Sequence, residues 1–254
     1  MNVRGWVAFA KPLPGTVAII AGVQAAPSFR DGTSFRDATL AEFAGRLASS
    51  DPVPGGGSAS AVAAALGASL VAMVGTLSQG RPKYAQHAGL YEAAVPAAKA
   101  LTQDLLDLAD EDAAAYAACA IALKLPREAF ADTEYRDAQV RATAQVAAEV
   151  PLRCVERCLD TLALAEMLAG RSNVNASSDL RVASLLLEAA ADGAAANVLV
   201  NLPLIGTNDW TIATAARVEQ LMTDVTSLAK TTRDVVAGGQ ARPPLDRVPE
   251  WSGA

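Results

Sequence analysis

From Ala59 to Met73 the chain carries no charged residue, and most of the side chains there are Ala, Gly or Ser. A helix that is apolar all round must be covered, either by other helices or by lipid. Ala, Gly and Ser are too weakly hydrophobic for a good membrane span, so the run from Ser58 to about Leu77 reads as a buried central helix. Pro54-Gly55-Gly56-Gly57-Ser58 leads straight into it. Three glycines can adopt positive φ and let a ligand approach the backbone. Ser58 is placed to cap the helix. A bare loop at a helix N-terminus suits an anion, although a plain turn uses the same residues. No Gly-Lys-Ser/Thr follows, and no G-x-G-x-x-G is present, so this is neither a Walker loop nor a dinucleotide loop.

The remainder predicts an all-α fold: a bundle of long, partly kinked antiparallel helices around that Ala-rich central helix. Thr39-Leu40-Ala41-Glu42 has capping-box spacing and opens a short helix to about Ala48. Helical patterns run from about Gln86 to Leu123 with Pro96 inside, and from about Thr133 to Ala169 with Pro151 inside. Two more cover roughly Ser177 to Val200 and Asp209 to Val236. Val198 to Ile205 reads equally as a strand or as a helix end. The domain is expected over 38–236, after a loosely ordered extension, 1–37, and before a mobile proline-containing tail, 237–254. The extension holds Ser28-Phe29-Arg30-Asp31 and its repeat Ser34-Phe35-Arg36-Asp37. A signal peptide there would have a poor apolar region, broken by Lys11 and two prolines.

A net charge of −6 argues against a nucleic-acid partner, which needs a basic surface. No membrane partner is expected. Cys119, Cys154 and Cys158 are too few for a disulfide framework in a chain of 254 residues. They read as reduced core thiols of a cytoplasmic protein. His87 is the only histidine, so no metal site and no Ser-His-Asp triad is expected unless His87 serves one.

What is left is carboxylate chemistry. Asp110-Glu111-Asp112-Ala113-Ala114-Ala115-Tyr116 lies midway along an Ala/Leu helix. Asp112 and Tyr116 share a face, four apart, while Asp110 projects elsewhere. A solvated acidic face and a buried acid/base are both open. Asn197 and Asn201, also four apart, form either a structural amide ladder or a ligand-reading edge. Ser178-Asp179 can be only an N-cap pair. A carboxyl buried in an apolar bundle has a raised pKa and can carry a proton near neutrality.

In this order the chain resembles the cyclodeaminase/cyclohydrolase family of folate one-carbon enzymes. The resemblance covers roughly residues 38 to 235. It is carried by Phe43, Pro54–Ser58, Gly80-Arg81-Pro82-Lys83-Tyr84, Asp110–Tyr116, Lys124-Leu125-Pro126, Val150-Pro151-Leu152, Asn173 with Ser178-Asp179, and Asn197–Leu202. It departs from the family at Ser172-Asn173, where Gly-Asn is usual, and over residues 1 to 36. The resemblance implies a helical homodimer with a folate site lined by Gly55, Gly56, Gly57 and Ser58, and no cofactor beyond the folate substrate. Asp112 is then the candidate acid/base, with Asp110 and Asp179 as alternates. Arg81, Lys83 and Lys124 are candidates for the glutamate carboxylates of a folate, including a polyglutamylated one. Asn197 and Asn201 would read the pterin edge or hold the carboxylate, and Tyr116 would line the same wall. Either the cyclodeaminase or the cyclohydrolase reaction fits, and a non-catalytic folate-binding or helical interaction protein of the same fold is the alternative.

Overall fold

In the computed structural model, residues 34–128 and 130–248 are described. The first copy of the Ser-Phe-Arg-Asp repeat and the possible signal segment lie outside them. Six α-helices follow one another: α1 Leu40–Leu47, α2 Gly56–Ser78, α3 Ala88–Leu123, α4 Phe130–Leu168, α5 Ser177–Ile205 and α6 Asp209–Gly238. Short 3₁₀ turns at Phe35–Asp37, Pro82–His87 and Val174–Ala176 complete the described chain. No strand occurs among the described residues, and the ambiguous stretch from Val198 to Ile205 is the last part of α5.

Local signals account for most helix ends. The Thr39 side chain accepts from the Glu42 N–H, and the Glu42 carboxylate accepts from the Thr39 N–H at 2.8 Å, so the expected capping box is present. Asn208 and Thr211 form the same device at the start of α6. Gly239, at φ 63°, ends α6 in the left-handed conformation that glycine adopts without strain. Pro96 and Pro151 lie inside α3 and α4 without ending them.

α2 is central. It packs between α3 and α5, with α4 behind. It runs antiparallel to both flanking helices. Ser58 touches the Asp112 turn of α3 while Gly75 faces Val95; Gly56 faces Asn197 of α5 while Gly67 faces Leu187. The lack of large side chains on α2 makes this approach possible. A Cβ on Gly67 would lie 2.8 Å from Leu187 Cγ, and one on Gly193 would lie 2.5 Å from Ser60 Oγ. Gly67→Ala is therefore expected to lose ~1–2 kcal/mol in a urea titration, because overpacking outweighs the helix propensity gained. Gly45→Ala in α1, where no neighbour lies within 4 Å, should gain a few tenths. Equal shifts for the two variants would show that α2 has slack.

One strip of α2 is left open: Leu66 is 48% exposed, and Met73 and Leu77 are also exposed. Helices Gly56–Ser78 and Val174–Ile205 are long and apolar enough to cross a membrane by length and composition, yet about half of each is covered inside the bundle.

The described segments flanking the helices are tied to this bundle. Phe35 is buried and packs edge-on against Phe43, with centroids 5.3 Å apart. The folded unit thus begins at least at Ser34, ahead of the expected boundary at 38. Beyond α6, Arg242 binds the Glu166 carboxylate at 2.7 Å and its N–H donates to the Gly170 carbonyl. Arg171 Nε donates to the Pro243 carbonyl at 2.6 Å. Cys119, Cys154 and Cys158 are free and buried, as their spacing and number suggested.

Candidate active site

The glycine-rich segment is built differently from its sequence reading. α2 starts at Gly56, and Gly55 is the N-cap residue, with extended backbone (φ −120°, ψ −160°) and no side-chain cap. None of the three glycines takes positive φ. Ser58 is not a cap but lies in the first turn of α2, fully buried. Its Oγ donates within 3.0 Å of both Asp112 Oδ2 and the Ala109 carbonyl.

The anion that this helix start attracts is the protein's own Asp112. Its carboxylate takes hydrogen bonds from the Ser58 hydroxyl and backbone N–H. It lies so close over Gly57 that a Cβ there would fall 2.1 Å from Asp112 Oδ1. A side chain at that position would have to displace the Asp112 carboxylate. Gly56 is not crowded: a Cβ would meet Asn197 Nδ2 at 3.8 Å, an ordinary contact. Burial raises the Asp112 pKa, and the Ser58 hydrogen bonds oppose that rise without cancelling it. A carboxyl so placed takes up and releases a proton nearer neutrality than an exposed aspartate does.

Asn197 stands across from Gly56 on α5, its amide donating to the Gly193 carbonyl at 2.8 Å. Asn201, a turn further on, donates to the carbonyls of Asn197 and Ala147. The ladder is thus a structural one on its donor side, which leaves the amide oxygens to receive bonds. Tyr116 follows Asp112 by one turn and is 51% exposed, at the rim.

Other candidates lie elsewhere. Asp110 is occupied: it accepts from the Phe35 N–H at 2.8 Å and from the Ser34 hydroxyl. That pairing anchors the chain entering the domain, a role the sequence hid because residues 34 and 35 fell in the presumed extension. Asp179 lies in the first turn of α5, about 27 Å by helical rise from Asn197. Arg81 and Lys83 are exposed just beyond the C-terminus of α2, the far end from Asp112. Tyr84 Oη accepts from the Val174 N–H there, and Lys83 Nζ lies 5.4 Å from the Tyr84 ring centre. A 310 Å³ cavity at that end is lined by Ser78, Arg81, Tyr84, Tyr91 and Glu92, among others. Lys124 follows the last residue of α3, about 18 Å along it from Asp112. Within one chain, then, Gly56, Gly57, Ser58, Asp112 and Asn197 come together, and the cations do not join them. Among the described residues no three His, Cys, Asp or Glu side chains cluster as metal ligands would.

The formiminotransferase-cyclodeaminase family model matches residues 39–220, from the N-cap of α1 to the middle of α6. The chain belongs to this family. Among relatives, formimidoyltransferase-cyclodeaminase of Rattus norvegicus is 33% identical over 205 residues, covering 81% of this chain and 37% of the rat protein. The methenyltetrahydrofolate cyclohydrolase of Methylorubrum extorquens is 36% identical over 163 residues, covering 64% of this chain and 78% of that enzyme. The chain therefore spans little more than a third of the rat protein it resembles. In fold it matches the crystal structure of formiminotetrahydrofolate cyclodeaminase from Thermotoga maritima, with a TM-score of 0.73 over 80% of this chain and 98% of the other, at 24% identity. All the residues gathered around Asp112 lie inside the matched segment of this formiminotransferase-cyclodeaminase family member.

Proposed function

We propose that this protein is a folate one-carbon enzyme acting as a formimidoyltetrahydrofolate cyclodeaminase or a methenyltetrahydrofolate cyclohydrolase, with Asp112 as its acid/base. The observation that carries the reading is the Asp112 carboxyl, buried against Gly57 and held by Ser58 at the start of α2. In cyclodeamination, N10 attacks the formimino carbon, the ring closes, and ammonia leaves after taking a proton. In the cyclohydrolase direction, water adds to the methenyl carbon, loses a proton, and the ring opens. Both reactions need one group that moves a proton beside a tetrahedral carbon. Asp112, with its pKa raised, supplies that group; in this reading the Asn197 and Asn201 amide oxygens, whose N–H groups are held by backbone carbonyls, orient the pterin edge. The resemblance to both curated activities supports this reading without choosing between them.

The same reading makes the protein a homodimer working in the cytoplasm, acting on mono- or polyglutamylated folate without a further cofactor. Ultraviolet absorbance of purified protein tests it. With 5-formiminotetrahydrofolate, appearance of the methenyl band and release of ammonia is the expected result for a cyclodeaminase. With 5,10-methenyltetrahydrofolate, accelerated loss of that band is expected for a cyclohydrolase. No acceleration with either substrate would sink the enzymatic reading.

A further inference from the structure

Beyond α6, residues 240–243 lie along the corner where α4 ends, and this strap falls outside the residues 39–220 that the family model matches. Arg242 fastens it. Its N–H donates to the Gly170 carbonyl at 2.8 Å, and its Nη1 donates to the Glu166 carboxylate at 2.7 Å and to the Glu166 carbonyl at 3.0 Å. Gly170, at φ +72°, lets the strap come this near: a Cβ there would lie 2.8 Å from the Gln240 carbonyl oxygen. Arg171 depends on the strap. The residue is 6% exposed, and its guanidinium donates to the Pro243 carbonyl at 2.6 Å and to the Met167 carbonyl at 3.1 Å. Burial and the neighbouring Arg242 charge both disfavour its charged form, and the Glu166 carboxylate opposes them. A guanidinium buried so deeply cannot lose an acceptor without its loop rearranging.

The loop that carries Arg171 also reaches the other way, to α2 and α3. The Tyr91 hydroxyl donates to the Arg171 carbonyl. The Asn173 N–H donates to Ser78 Oγ at 2.8 Å, and the Val174 N–H donates to Tyr84 Oη at 3.1 Å. Ser78, Tyr84 and Tyr91 all line the 310 Å³ cavity that holds Arg81. Each hydroxyl side chain in that wall is therefore tied to residues 171–174, and Lys83 stacks on the Tyr84 ring beside it. We propose that the strap is a positioning element: Arg242 and Pro243, acting through Arg171, fix the loop 171–174 and with it the cavity wall beside Arg81 and Lys83. The consequence for substrate rests on the folate reading, in which those two cations meet glutamate carboxylates; the coupling of strap to cavity does not. Arg81 and Lys83 stand apart from Asp112 within the chain, so disturbing them raises the substrate concentration needed and leaves the proton transfer alone.

Arg242→Ala and Arg171→Met break the linkage at two different points. Arg217→Ala is the comparison, since it breaks an ion pair with Glu156 lower on α6 and α4. In hydrogen-exchange mass spectrometry the first two variants should exchange faster over 171–176 and over 79–88, relative to amides at 190–198 in α5, and Arg217→Ala should not. Faster exchange confined to 166–171, with 79–88 at the parental rate, overturns the coupling. Steady-state kinetics on the triglutamate forms of 5-formiminotetrahydrofolate and 5,10-methenyltetrahydrofolate give the second readout. Both linkage variants should raise KM roughly tenfold with kcat within about twofold of the parent, and Arg242→Lys, which keeps a charge facing Glu166, should recover part of that loss. A lower melting temperature with KM unchanged reduces the strap to a brace and overturns the positioning role. If the parent turns over neither folate, the functional reading fails, and the exchange experiment still decides the coupling.

Discussion

Asp112→Asn should cost ~10²–10⁴-fold in kcat while making the protein more stable at neutral pH. The first effect follows from losing the proton shuttle while keeping the shape. The second follows from linkage. The Asp112 pKa is raised by burial above the ordinary 3.8 that it takes in the unfolded chain. Between those two values the folded state binds more proton, so this residue makes stability fall as pH rises. Above the folded value the full cost of a buried charge is present, and below 3.8 it is absent. The variant should therefore melt higher than the parent at pH 7, with the difference shrinking as pH falls through the folded pKa. A kcat loss under about threefold, or an unchanged melting temperature at pH 7, would return Asp112 to the ordinary solvated carboxylates.

Gly57→Ala is expected to damage activity nearly as much by geometry alone. A methyl group 2.1 Å from Asp112 Oδ1 must move the carboxylate, the start of α2, or both. A displacement of about 1 Å at a reacting group can cost ~10²-fold. Gly56→Ala is the matched comparison for folding, since its methyl meets only Asn197 at ordinary contact. Circular dichroism and thermal melting should show Gly56→Ala at parental stability and Gly57→Ala at or below it. If Gly57→Ala retains more than half of the parental kcat, Asp112 has a second workable position and the tight seat is not required.

Helix placement was legible because its signals are local. The charge-free run, the Thr39–Glu42 box and the spacing of prolines each act within a few residues, and α1 to α6 follow them closely. The site was legible in part. Asp112 stood out as a carboxylate in an Ala/Leu helix, and the glycines as the place where something approaches closely. That the approaching group is Asp112 itself requires knowing that α2 and α3 run antiparallel in that register, which no local signal encodes. Ser58 looked like a cap for the same reason: its hydroxyl had a local use available, and tertiary contact supplied a different one. Gly56 and Gly57 are neighbours in an identical run, yet only one faces α3. Asp110 and Asp112 are two residues apart and point to different partners, one of them in a segment with no helical pattern. Arg81, Lys83 and Lys124 are tied to the site by the family resemblance, and within one chain the helix lengths separate them from Asp112.

Ser34 and Phe35 hold Asp110, two residues before Asp112 on α3, and Arg36 pairs with Asp107 at 2.6 Å one turn earlier. The stretch of α3 that presents the acid is therefore clamped by the chain just ahead of residue 39, where the family match begins. Sequence kinship and mechanical support thus mark different limits. A cut at residue 39 would keep the recognisable unit and remove the fixture that steadies its acid.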